Sequence, residues 1–196
     1  MHGLINRSIQ GFLRDTYGPA TWGLVAREAR LGFDSFEPML SYDAGLTTAV
    51  LAAACKVLGR PVESVLEDLG TYLVSHPNTE AVRRLLRFGG VTFEDFLHSL
   101  EDLPERARLA LPDLDLPGLE LAETNYAEYR LTIDAAFAGT GQVMLGLLRA
   151  MADDYGALVL LDWLDGGAGQ EIIQIKLLDH RHSTGRAFDL AGWAGP

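Results

Sequence analysis

Basic residues are scarce in this chain: 16 Lys and Arg stand against 27 Asp and Glu, a formal net charge of −11. No Lys/Arg cluster is dense enough to hold a phosphate backbone or an anionic lipid surface, which excludes nucleic acid and membrane as partners. Cysteine is almost absent. Cys55 stands alone, so neither an intrachain disulfide nor a Cys-based metal cage can form. Its setting, Val50-Leu51-Ala52-Ala53-Ala54-Cys55, reads as an apolar helix with the thiol as a small core group. Long apolar runs are missing too: none approaches the roughly 20 residues that span a bilayer. The opening Met1-His2-Gly3-Leu4-Ile5-Asn6-Arg7 lacks the pattern of a signal peptide, and a cytoplasmic protein is expected. No G-x-S-x-G, H-E-x-x-H, P-loop or dinucleotide fingerprint occurs, and the many acids read as solvated helix faces. With no catalytic constellation in view, the expectation is not an enzyme.

What is present is apolar periodicity. Hydrophobic residues make up 48% of 196, enough for one full core or two small packed lobes. The first half reads as consecutive helices. Leu4, Ile5, Ile9, Phe12 and Leu13 share one face, and Gly18-Pro19 closes that helix and opens a second carrying Trp22, Leu24, Val25 and Ala29. Asp43 caps a third that Gly59 ends. Pro61 suits the first turn of a fourth with Val65, Leu66, Leu69, Tyr72 and Leu73. A short helix follows over about 81–88. Thr92 with Asp95 three residues on then marks a capping start, and Phe96, Leu97, Leu100 and Leu103 continue as an apolar face. Pro104 must break that helix, because it lacks the N–H and strikes the carbonyl four residues back; the kink is expected at Leu103-Pro104.

The second half changes period. Residues 119–122 and 129–133 alternate and read as a hairpin, as do 157–163 and 171–178 around Asp165-Gly166-Gly167-Ala168-Gly169. A helix over about 142–154 lies between them, entered through Gly139-Thr140-Gly141 with Thr140 as its cap. The fold class is α+β: a helical N-terminal lobe packed on a C-terminal lobe with a four-stranded antiparallel sheet and helices. The division expected is a single domain over 1–182, with an N-terminal lobe over about 1–60 and the remainder over about 61–182. Residues 183–196 are read as an aperiodic tail. His2 and His76 are isolated and read as incidental. Asp179-His180-Arg181-His182 is the one metal-like cluster, but it lacks a third ligand and is read as a solvated strand end, so no metal is assigned.

The run Asp95-Phe96-Leu97-His98-Ser99-Leu100-Glu101-Asp102-Leu103-Pro104, with Pro112-Asp113-Leu114-Asp115-Leu116-Pro117 after it, resembles the signature segment of the heme-nitric oxide/oxygen binding (H-NOX) family. Other pieces agree in order and spacing. Met1-His2-Gly3-Leu4-Ile5-Asn6 with Tyr17-Gly18 and Trp22 looks like the family's start, and Leu66-Glu67-Asp68-Leu69-Gly70-Thr71-Tyr72 like its distal helix. Gly146-Leu147-Leu148-Arg149 resembles its late helix. The resemblance implies a heme pocket whose equivalents here are Ile5, Pro104, Pro117, Ile133, Ala135 and Phe137. Of these, the proline that packs on the porphyrin is kept as Pro117. The iron-ligating histidine falls on Pro104. The Tyr-x-Ser-x-Arg motif that holds the propionates falls on Ile133-Asp134-Ala135-Ala136-Phe137.

A proline has no imidazole nitrogen, and Ile133, Ala135 and Phe137 offer no side-chain donor for a buried carboxylate. The reading is therefore a stand-alone, heme-independent sensory or regulatory domain with no cofactor. The resemblance implies a signalling partner in trans, a histidine kinase or a cyclic-dinucleotide enzyme. Two alternatives stay open. One is a heme-based NO/O2 sensor with a substitute ligand such as His98, six residues before Pro104 and about 120° away around an ideal helix. The other is a binder of an uncharged apolar ligand, with a cavity of several hundred Å³ beside Ile133 and Phe137.

Overall fold

The computed structural model describes residues 1–114, 116–134, 137–167 and 169–188. Helices α1 (Gly3–Tyr17) and α2 (Pro19–Glu28) meet at Gly18, as the Gly-Pro pair suggests. His2 is not idle, because its Nδ1 accepts the Leu4 N–H and caps α1. Helix α3 (Ala44–Leu58) starts at the Asp43 cap and stops at Gly59. Pro61 stands just before α4 (Val62–Ser75) rather than in its first turn. His76 accepts the Asn78 N–H at the short 3₁₀ turn that leads to α5 (Glu80–Arg87).

Helix α6 (Phe93–His98) begins with the expected capping box: Asp95 N–H donates to Thr92 Oγ1, and the Asp95 carboxylate takes the Thr92 N–H. It ends earlier than the apolar pattern suggests. The break spans residues 99–102, and α7 (Leu103–Ala110) restarts with Pro104 in its first turn. The reason is geometric: Pro104 excludes a helical carbonyl at Leu100, so the chain must leave the helix at least one turn before it. The freed groups take tighter bonds, Leu100 N–H to Leu97 and Leu103 N–H to Leu100.

Strands β1 (Gly118–Asn125) and β2 (Glu128–Asp134) form the first hairpin; α8 (Thr140–Tyr155) follows; β3 (Leu158–Gly167) and β4 (Gln170–Asp179) form the second. The four strands make one antiparallel sheet in the order β1-β2-β4-β3.

Two apolar cores result. The first joins α1–α4 around Phe12, Leu13, Val25, Val50 and Leu66. The second joins α5–α8 and the inner face of the sheet around Phe96, Leu97, Leu131, Ile133, Leu148 and Ile173. Helix α4 contributes to both, Val65, Leu66, Leu69 and Tyr72 to the first and Val74 to the second. Helices α4 and α8 weld the two: a Cβ on Gly70 would overlap the Val143 carbonyl, and one on Gly146 would overlap the Glu67 carbonyl.

Nor do residues 183–188 hang free. Ser183 N–H bonds the Gly156 carbonyl at 3.0 Å and Arg186 N–H the Asp154 carbonyl at 2.9 Å. Arg83 Nη2 reaches the Ala187 carbonyl at 3.1 Å, and the Phe188 ring lies against the Arg83 and Arg87 guanidiniums. The folded unit therefore extends at least to Phe188. The pattern was unreadable because backbone bonds to a helix end and arginine contacts impose no hydrophobic period.

Candidate functional site

Pro104 is buried at the start of α7, beside the core residue Leu103. Its ring nitrogen is an amide nitrogen, with no lone pair for a metal and no proton to donate. Pro117 is half-buried in the link before β1. Ile133 is 0% exposed and belongs to the second core, against which Leu119 and Leu121 also pack. Phe137 is half-buried in the turn before α8, and its carbonyl accepts the Thr140 hydroxyl at 2.7 Å. Ala135 lies outside the described residues. Ile5 packs against the other core, with α1–α4. Of the residues proposed for the pocket, Ile5 thus packs with one core and Ile133 with the other.

His98 is exposed on α6, its ring edge-on to Tyr129 with 5.9 Å between centroids. The substitute-ligand expectation gains no support from that placement. Two cavities among the described residues lie elsewhere. One of about 730 Å³ runs along α2 and the loop after it, past Leu24, Arg27 and Phe33. The other, about 210 Å³, sits on the sheet among Arg130, Leu160 and Lys176. Ile5, Pro104, Pro117, Ile133 and Phe137 line neither. Among the described residues no group of three or more His, Cys, Asp or Glu is placed to hold a metal. His180 instead faces Glu94, with Nδ1 3.3 Å from a carboxylate oxygen. Cys55 is half-buried rather than fully buried, and burial pushes its thiol pKa up.

Two buried acids escaped the sequence reading. Glu171, 8% exposed, turns its carboxylate onto the start of α8. It accepts the N–H groups of Gly139 at 3.1 Å and Gly141 at 2.9 Å, and Trp163 Nε1 at 2.9 Å. Thr140 is accordingly not the cap. Gly139 holds that position and Glu171 supplies the capping oxygens, a cap from a distant strand that no local spacing announces. Asp154, 1% exposed near the end of α8, takes two hydrogen bonds from Arg83, with Arg87 and Arg186 further off.

With this geometry in hand, the comparisons with known proteins are decisive. The profile of the haem-NO-binding family (HNOB) matches residues 2–160. The chain belongs to this family. Among curated relatives, soluble guanylate cyclase gcy-31 of Caenorhabditis elegans is 30% identical over 117 residues, 60% of this chain and 17% of that protein. Soluble guanylate cyclase 89Db of Drosophila melanogaster is 21% identical over 158 residues, 81% of this chain and 24% of that protein. The chain thus spans only about a fifth of the curated relatives' length. An H-NOX protein from S. oneidensis, solved in the Fe(II)NO ligation state, superposes with a TM-score of 0.76 at 16% identity, covering 91% of this chain and 100% of the other. The I5F mutant of T. Tengcongensis H-NOX gives 0.76 at 14% identity, covering 92% and 99%. The fold is H-NOX. No helix among the described residues is long and apolar enough to cross a membrane.

H-NOX domains sense rather than catalyse, and the family normally binds heme. The residues at the positions to which the sequence resemblance assigns the heme site do not offer what that group would need. Pro104 cannot ligate iron, and Ile133 and Phe137 present hydrocarbon where buried carboxylates need donors.

Proposed function

We propose that this chain is a heme-independent H-NOX regulatory domain, which keeps the two-lobed scaffold and signals by contact with another protein. The observation that carries the reading is Pro104, buried at the position to which the resemblance assigns the iron ligand. Ile133 supports it, since it is fully buried in a continuous core with Leu97, Leu100 and Leu148. A side chain so packed would have to be displaced before a porphyrin could approach it.

The effector is proposed to be a signalling enzyme of the kind the family serves, a histidine kinase or a cyclic-nucleotide or cyclic-dinucleotide enzyme, fused or separate. The two cavities along α2 and on the sheet do not touch Ile133 or Phe137 and so lend no support to an apolar-ligand reading. The experiment is expression with excess heme supply, followed by the visible spectrum of the reduced protein with and without nitric oxide. A colourless protein is the expected outcome. A strong Soret band that shifts with the gas would overturn the reading.

A further inference from the structure

The Glu171 carboxylate does something in this fold beyond finishing a helix. Its register places it directly opposite Ile133 in the β2–β4 ladder, at the first position of the segment to which propionate binding would fall. The last position of that segment, Phe137, lies two residues before Gly139, whose N–H the same carboxylate accepts. The segment therefore begins opposite Glu171 and leads toward the glycine that the same carboxylate holds, and that carboxylate belongs to the chain itself.

The seat is shaped for it. Its three partners are neutral N–H donors, two from the opening of α8 and one from the Trp163 indole. Donors in this arrangement, at the positive end of a helix, favour an anion without needing a cation. Gly141 leaves the room: a Cβ there would overlap Glu171 Oε2 and stand 2.7 Å from Trp163 Nε1.

We infer that Glu171 is a built-in carboxylate filling the anion seat at the start of α8, and that its presence keeps an outside carboxylate, a porphyrin's included, from being held there. The inference deepens the heme-independent reading and rests on it for where such a group would lie. A second carboxylate brought beside Glu171 meets a like charge with its donors already taken. An arginine restored at position 137 would enter two residues from Gly139, whose N–H this internal anion already accepts.

The test is anion rescue. Glu171→Ala removes the carboxylate and leaves the three N–H groups behind. Its thermal midpoint should fall by about 5 °C or more. Sodium formate, titrated against sodium chloride at constant ionic strength, should recover part of that loss saturably and leave the unaltered protein where it was. Formate that acts on both proteins alike, or on neither, overturns the seat.

Glu171→Gln keeps the volume and serves if the alanine variant does not fold. Its Trp163 indole N–H should exchange with solvent about tenfold faster than in the unaltered protein; an unchanged rate also overturns the seat. The two readings fail separately. Stoichiometric heme in the unaltered protein sinks heme independence. Tight heme binding by Pro104→His, Ile133→Tyr, Ala135→Ser, Phe137→Arg with Glu171 intact sinks this inference alone.

Discussion

Arg83 on α5 holds Asp154 near the end of α8 through two hydrogen bonds, Nε to Oδ1 at 2.9 Å and Nη2 to Oδ2 at 3.3 Å. Both side chains are almost fully buried, and Arg87 adds its guanidinium 3.6 Å from the same carboxylate while stacking on Tyr155. Removing Asp154 or Arg83 takes away the two direct hydrogen bonds of a buried pair, leaving the longer contacts of Arg87 and Arg186 to the acid and the contact of Glu80 to the arginine. Asp154→Ala is therefore expected to cost about 3–5 kcal/mol in urea unfolding, and Arg83→Ala a similar amount. Losses under about 1 kcal/mol would show the cluster to be hydrated after all. The double variant should cost much less than the two single losses summed.

Pro104→His by itself is expected to leave the purified protein without a stoichiometric Soret band. Ile133 and Phe137 still supply no donor for buried carboxylates, and the second core still fills the space around Ile133. Absorbance after expression with added heme checks this. A full complement of heme in the single variant would refute the weight placed on the missing donors.

The capping box of α6 should show in the pH dependence of stability. The Thr92 backbone N–H holds the Asp95 carboxyl below its ordinary value, with the Thr92 hydroxyl and the Val91 N–H in support. A folded-state pKa below the unfolded one adds stability above the unfolded value, about 3.9, and loses it as pH falls through the folded value. Asp95→Asn should accordingly be less stable than the unaltered protein at pH 7, and the gap should close as pH falls below the ordinary carboxyl range. Thr92→Ala should cost about 1 kcal/mol at neutral pH. A gap that does not change with pH would mean the carboxylate is not the working cap.

Gly146→Ala tests the α4–α8 weld. In an exposed helix this change gains about 1 kcal/mol. Here the new methyl would strike the Glu67 backbone, which a side-chain rotation cannot relieve. The expected result is a net loss of about 2 kcal/mol or more by chemical denaturation, and Gly70→Ala should behave alike against Val143. A stabilised Gly146→Ala would show that the helices stand further apart than described.

Much of this was legible in the chain because it is written locally. The Asp43 and Thr92 caps, the Gly18-Pro19 junction and the change of period after Pro117 each depend on residues within four positions of one another. The ordered family-like segments carried the rest of the fold. What stayed hidden depends on contacts across the chain. Glu171 caps α8 from 30 residues away, and Arg83 meets Asp154 across 71. Asp154 looked like one more surface acid in an acidic protein, because burial is set by what packs over it. The helix break was sensed at Pro104 but placed too late, since proline acts on the turn before it.

The seating of residues 183–188 redefines where the domain stops. The sheet ends at Asp179, and a designer trimming by secondary structure would cut soon after. That cut would remove Arg186 from the rim of the buried anion and the Ala187 carbonyl from Arg83. The Phe188 cover over two guanidiniums would go with them. What holds residues 183–188 in place is largely electrostatic, the contacts of Arg186, Ala187 and Phe188 with the buried cluster.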